Sequence, residues 1–466
     1  MSPNLVQRPL RLAFPLLAAA ALVATGCGSG SVSTGSTQTG SSTGPAFVIG
    51  TDAPLASVAS FSVQIESLDA IDANGNKVSL ISGTPTVDFA RFNGLQTLLD
   101  MNDVTGGTYT SVSITLGTGT IGYLQTGSGA PTIQTMAATY SNPTVNITLD
   151  KPLVVQQGGA PVGLRMDFDL RQSIGVDSNG NITGAVTPTF DVKAVTNSDS
   201  GAYIDEFVAA VVSVGTQSFV VQGPHGEQFT INVDGQTDWD NNESISDLTT
   251  SSIVQISGQL DTADQTLDAD EVAILSQNGF YAGGLVTYLQ PATATTQESF
   301  QLYVRGLLPT TTGLTLGQIA TVDLSGSENF FIYWMHNPLT QFLFNANTLL
   351  AGQHVTVGGP ASGAANASDV TVNRVMLRHW GYNGTVVAGS EDSSTNSFQM
   401  QVGGFAGVLI PETVTVYVAG KTGYRSGFGE FSDIADGDKV RVVGLLLKDP
   451  TSGNAVLLAR YVDDMD

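Results

Sequence analysis

The chain has 466 residues, 41% hydrophobic and 12% charged, with 53 Gly, 18 Pro and one Cys. Its 17 Lys and Arg stand against 41 Asp and Glu, a formal net charge of −24. That balance repels phosphate backbones, which excludes nucleic acid as a partner, and disfavours direct docking on anionic lipid. The length suits two to four domains. Gly, Thr, Ser and Val dominate and long helical patterns are missing, so the body reads as all-β.

Residues 12–27 run Leu-Ala-Phe-Pro-Leu-Leu-Ala-Ala-Ala-Ala-Leu-Val-Ala-Thr-Gly-Cys, preceded by Arg8 and Arg11. A basic start, a short apolar run and small residues before a cut describe an export signal over residues 1–26. The run is too short for a bilayer span, which takes ~20 apolar residues. Ala24-Thr25-Gly26-Cys27 resembles a bacterial lipobox, with Ala24 where Leu is usual. The resemblance implies that Cys27 becomes a lipidated first residue carrying a diacylglyceryl group, anchored in the bacterial cell envelope. Gly28 after the cysteine, rather than Asp, suggests the outer membrane. Cleavage leaves 15 basic against 41 acidic residues, a net charge of −26. Because Cys27 is the only cysteine, the folded part has no disulfide, no thiol nucleophile and no Cys-ligated metal.

Residues 28–46 are almost wholly Gly, Ser and Thr and cannot bury apolar area, so 27–46 is expected to be a flexible tether. Gly40-Ser41-Ser42-Thr43-Gly44 formally matches a nucleophile elbow, but no strand precedes it and no helix follows.

A first folded unit is expected over 47–198. Phe61, Val63 and Ile65 alternate with Ser62, Gln64 and Glu66, the period of a half-buried strand. Asn74-Gly75 marks a hairpin turn. Strands are predicted at 109–116, 144–149, 153–155, 163–170 and 189–194, and a helix at 93–102. In Arg165–Arg171 charges alternate with apolar residues, predicting one wet face and one core face. The unit reads as a mostly antiparallel β-sandwich. Thr51-Asp52-Ala53-Pro54, Gly106-Gly107-Thr108-Tyr109 and Met166-Asp167-Phe168-Asp169 followed by Ser173-Ile174 resemble, in order, a domain common in exported bacterial lipoproteins. That domain's role is unassigned, so the resemblance implies a β domain on the envelope and transfers no catalytic residue.

After residue 200 an internal repeat begins. Ser218–Gly223, Ser299–Val304 and Ser397–Val402 align as one strand. Val254–Gly258, Val355–Gly359 and Val440–Gly444 align as another, with a recurring Val-x-Val-x-Gly pattern. Repeats are placed at 201–277, 278–379 and 380–466, the middle one lengthened between Phe330 and Gly352. They resemble a second exported domain of unknown function, a small closed barrel of the oligonucleotide/oligosaccharide-binding type. Closure removes the edges of short Thr/Val-rich strands. Three such barrels are expected in line, so excising 380–466 should leave the upstream units folded.

Candidate chemistry is sparse. His225, His336, His354 and His379 share no metal-binding spacing. Asp72-x-Asn74-Gly75-Asn76, Asp177-x-Asn179-Gly180-Asn181 and Asp238/Asp240 with Asn241-Asn242-Glu243 offer oxygens for a structural Ca²⁺, but hairpin turns explain the Asn-Gly segments with fewer assumptions. No cofactor, metal or catalytic residue is predicted. Gly420-Lys421-Thr422 mimics the tail of a phosphate loop, yet the residues before it form a strand. The densest aromatic stretch, 329–336, makes Tyr333 and Trp334 candidate ligand-binding residues. In the repeat alignment Phe330 and Phe331 stand near Trp239 and Tyr424, which suggests a recurring core ring. The expected function is non-enzymatic: a lipid-anchored envelope protein presenting β modules for adhesion, scaffolding or ligand binding, its partner an envelope protein or polysaccharide. The alternative is a glycan-binding or glycan-processing protein.

Overall fold

The computed structural model describes residues 43–465 except 54–57, 93–94, 96, 126–131, 158, 160–161, 179–180, 197–202, 224–227, 262–265, 292–297, 310–311, 334–340, 365–367 and 411–412. Cys27, Trp334, His225, His336 and most of the predicted tether lie outside these. The chain is all-β: an N-terminal sandwich followed by three small barrels.

In the sandwich, one sheet orders its strands Phe190–Thr196, Val162–Asp169, Thr43–Ala53 and Thr97–Thr105. The other is built on Val58–Asp72 and Gly107–Gln125, with Thr144–Val155 also paired to the latter. Phe61, Val63 and Ile65 are buried as their alternation predicts, against Phe168, Leu164 and Met166 of the facing sheet. Gly75 sits at φ +85° in the hairpin turn, closed by Asp72, whose carboxylate accepts from the Asn74 and Asn76 amides at 2.8 Å each.

Three expectations change. The first strand begins at Thr43 rather than 47, because residues 43–46 pair with 102–105; small residues that bury little are held by the neighbouring backbone. The predicted helix at 93–102 gives way to the strand Thr97–Thr105, since that pairing outweighs local periodicity. The sheet carrying residues 165–169 alternates as predicted, Met166 and Phe168 buried and Arg165, Asp167 and Asp169 half-buried, but its outer face is only partly wet. Ala46 and Val48 enter the sandwich core, while Phe47 and Ile49, pointing the other way, join the core cluster of the first barrel.

Each repeat forms the same five-strand ring. In the first, Tyr203–Val214, Ser218–Gln222 and Gln228–Asn232 form a meander; Thr266–Ser276 then runs parallel to the third strand, and Ile253–Asp261 closes on the first. The third repeat repeats that order with Trp380–Val386, Ser397–Val402, Thr413–Arg425, Ala455–Asp464 and Lys439–Lys448. The second does so with its fifth strand split into Asp369–Thr371 and Arg374–Leu377. Each ring thus contains one parallel pairing in an otherwise antiparallel five-strand barrel.

The recurring glycine of Val-x-Val-x-Gly now has a cause. A Cβ on Gly258, Gly359 or Gly444 would collide with a fifth-strand carbonyl oxygen, that of Asp268, Thr371 or Leu458 respectively. In the first and third barrels the ladder shifts register beside this glycine, so close backbone approach there demands the missing side chain.

The predicted recurring rings also align. Trp239, Phe330 and Tyr424 each lie on a segment running parallel to its barrel's fifth strand. The extra length of the middle repeat supplies Phe342, Phe344 and Leu349 to that barrel's core, and Phe342 meets Tyr417 of the third barrel at 5.8 Å between centroids.

The modules are not strung in line. Residues 41–466 cluster as one compact unit. Leu445, Leu447, Val456 and Leu458 of the third barrel belong to the second barrel's core cluster. Tyr303 of the second barrel donates to Ser60 Oγ of the sandwich at 2.6 Å. Gln353 of the second barrel donates to the Leu446 carbonyl of the third at 3.0 Å.

Candidate functional site at the module junction

Nine arginines follow Cys27 in the sequence, and five of them form ion pairs from one module to another. Arg91 of the sandwich donates to Glu206 of the first barrel at 2.9 Å. Arg378 of the second barrel reaches the other oxygen of Glu206. Arg305 of the second barrel lies 3.4 Å from Asp88 of the sandwich, Arg374 2.7 Å from Glu243 of the first barrel, and Arg460 of the third barrel 3.8 Å from Asp205 of the first.

Glu206 is the hub. It lies on the first strand of the first barrel, where Tyr203-Ile204-Asp205-Glu206-Phe207 inserts two acids into an apolar run. Burial alone would raise its carboxyl, but the Arg378 and Arg91 guanidiniums outweigh that and hold it down at about 2. Thr97 fixes the backbone beneath it, donating to the Glu206 carbonyl at 2.8 Å. His354 lies close by. Burial, with the Arg378 charge adding, pushes it down to about 3, so at neutral pH it contributes no charge. Its Nδ1 lies 3.4 Å from the His379 carbonyl oxygen and its ring 6.1 Å from Trp380.

A cleft of about 410 Å³ opens beside this network, walled by three modules. The sandwich contributes Asp88, Arg91 and Phe92, the first barrel Phe207, the second Arg305, Leu307 and Leu316. Asp88 is the one acidic residue among its described walls and is already engaged, accepting from the Phe61 amide at 2.8 Å as well as facing Arg305. Arg91 keeps 24% of its side chain exposed and Arg305 only 2%; Arg305 Nη2 is buried with no hydrogen-bond partner. Leu316 is 55% exposed. A concave, largely apolar site with a few fixed charges at a domain junction is suited to holding a small ligand.

The residues singled out from sequence fall elsewhere. Tyr333 is 2% exposed, and its hydroxyl donates to Ser257 Oγ of the first barrel at 2.9 Å; its ring serves the joint between barrels and does not line the cleft. The Asp177 carboxylate, like that of Asp72, is occupied by its own turn, accepting from the Asn181 amide at 2.8 Å. Asp240 is buried beside the short strand Asp238–Trp239. Among the described residues no group of three or more acids, histidines or cysteines is placed to hold a metal. The junction residues were missed, although a signal existed: Phe-Ala-Arg-Phe at 89–92, Tyr-Val-Arg-Gly-Leu at 303–307 and Met-Leu-Arg-His-Trp at 376–380 each set a charge inside an apolar run. Such a charge is buried and paired.

No curated protein matches the chain. Among solved structures, drosophila Unr CSD456 is similar at 10% identity, covering 56% of this chain and 97% of that one, with a TM-score of 0.14. A multidomain protein with nucleic acid binding domains from Streptococcus pneumoniae is similar at 9% identity, covering 55% and 72%, with a TM-score of 0.12. Residues 45–183 match a domain of unknown function (DUF4382), and residues 208–273, within the first barrel, match a second (DUF5666).

Proposed function

We propose that this chain is a non-enzymatic binding protein of the bacterial cell envelope, held by lipid on Cys27 and taking its ligand at the cleft between sandwich and barrels. The observation that carries the reading is the junction: cross-module ion pairs and shared cores fix three modules around one concave site. A spacer or adhesion stalk has no need of such clamping, whereas a binding site gains from preorganised walls. The export signal and Ala24-Thr25-Gly26-Cys27 support the anchor, and two acyl chains meet the requirement for stable attachment.

The glycan reading retains some support, because the cleft brings Asp88 together with Phe92 and Phe207. Glycan processing would need a second carboxylate across the cleft, and its described walls hold one.

Two experiments test the proposal. Cys27→Ser should abolish incorporation of a fatty-acid probe and leave the precursor unprocessed; continued labelling would end the anchor claim. The immobilised mature chain, exposed separately to small-molecule extract, envelope proteins and polysaccharides of the source cell, should retain a small molecule stoichiometrically. Retention of polysaccharide instead would favour the glycan reading, and retention of one protein would favour a scaffold.

A further inference from the structure

The charges at the junction do not cancel. Around the cleft stand three guanidiniums, Arg91, Arg305 and Arg378, against two carboxylates, Asp88 and Glu206. His354 is neutral there, and Arg460 lies against a separate acid, Asp205. One positive charge is left over in a largely dehydrated place, where an uncompensated charge is costly. Among the described residues, the ion pairs of these three guanidiniums go to Asp88 and Glu206 alone. The unpartnered Nη2 of Arg305 is the local sign of the same deficit.

Resting on the binding-protein reading, we infer that the ligand is a small amphipathic carboxylate, its anionic end beside Arg91 and its apolar body against Phe92, Phe207, Leu307 and Leu316. Arg91 makes the contact, because it lines the cleft, keeps 24% of its side chain exposed and spends one nitrogen on Glu206. Arg305 supplies the second charge on the cleft wall. A carboxylate brings the one negative charge the junction lacks, and guanidinium pairs with it through charge-assisted hydrogen bonds. The apolar walls reject a fully hydrated anion such as inorganic phosphate. The acidic exterior does not bar entry, since its field is screened beyond ~8 Å at physiological ionic strength.

Residues 27–466 carrying Cys27→Ser would be titrated calorimetrically with dodecanoate, dodecanol and dodecyltrimethylammonium. Dodecanoate should bind one to one, at least about tenfold tighter than either uncharged or cationic analogue, a difference of about 1.4 kcal/mol. Leu316→Asp, at an exposed position that leaves the fold intact, should weaken dodecanoate about tenfold or more by placing a like charge at the cleft. Arg91→Gln should remove the preference for dodecanoate over dodecanol. If Arg91→Gln does not fold, the ligand series and Leu316→Asp still decide. Equal binding of acid and alcohol, dodecanoate binding indifferent to Leu316→Asp, or no dodecanoate binding at all would overturn the inference. Should the source-cell extract still yield a stoichiometric small molecule in that last case, the binding-protein reading stands and only the ligand class falls.

Discussion

Glu206 shows how much one side chain can hold. It is buried, lies against two arginines from two other modules, and carries Thr97 on its backbone. Replacing it by Gln leaves Arg91 and the buried Arg378 without their carboxylate. A loss of roughly 3–5 kcal/mol in unfolding free energy is expected, the range for breaking a buried pair from one side, measured by denaturant titration. The same residue and its neighbour set the response to acid. His354 has an ordinary value of 6.5 and is held at about 3, so the unfolded chain takes up a proton that the folded chain refuses. The stability its neutral form contributes is complete above pH 6.5 and is lost as pH falls towards 3. Glu206, ordinarily 4.5 and held at about 2, contributes stability complete above pH 4.5 and lost as pH falls through 2. Both slopes run the same way. The melting temperature should fall steadily from pH 7 to pH 4, and in His354→Gln the part of that fall between pH 6.5 and 4.5 should be shallower. An unchanged slope in the variant would remove His354 from the account.

Among elements, the fourth strand of each barrel is tightly constrained. Its glycine lets the fifth-strand carbonyl come within contact of the backbone, and alanine there forces the ladder apart. Gly258→Ala and Gly444→Ala should each cost about 1–3 kcal/mol, the range for overpacking a tight site, whereas Gly453→Ala, in a turn with open space around it, should cost less and act only through its φ of +77°. A denaturant series on the three variants checks the ranking. The strand pattern was visible in the sequence because Val-x-Val-x-Gly recurs three times. The strand Thr97–Thr105 was not, because Leu95, Leu98 and Leu99 also suit a helix and only the partner strand Thr43–Ala53 selects the extended form.

At the scale of the molecule, the barrels act as one body with the sandwich. Removing 380–466 would strip Leu445, Leu447, Val456 and Leu458 from the second barrel's core and release the Gln353 side chain from the Leu446 carbonyl. The truncated chain should therefore melt well below the full one, and the full chain should melt in one transition rather than module by module; calorimetry distinguishes the two, and independent melting would restore the in-line arrangement. The sequence by itself determined the all-β class, the division into a sandwich and three repeats and the recurring aromatic, because each is written in local period, turn chemistry or self-similarity, while the closed ring of strands was what the resemblance implied. Only the tertiary structure decided that Phe47 and Ile49 leave the sandwich core for a barrel, that Tyr333 belongs to a joint, and that Arg91, Arg305 and Arg378 converge on Asp88 and Glu206. Those partners lie up to 217 residues apart in the chain. Charge pairing over such separations leaves no periodic trace; it is settled by which faces the modules bury against one another.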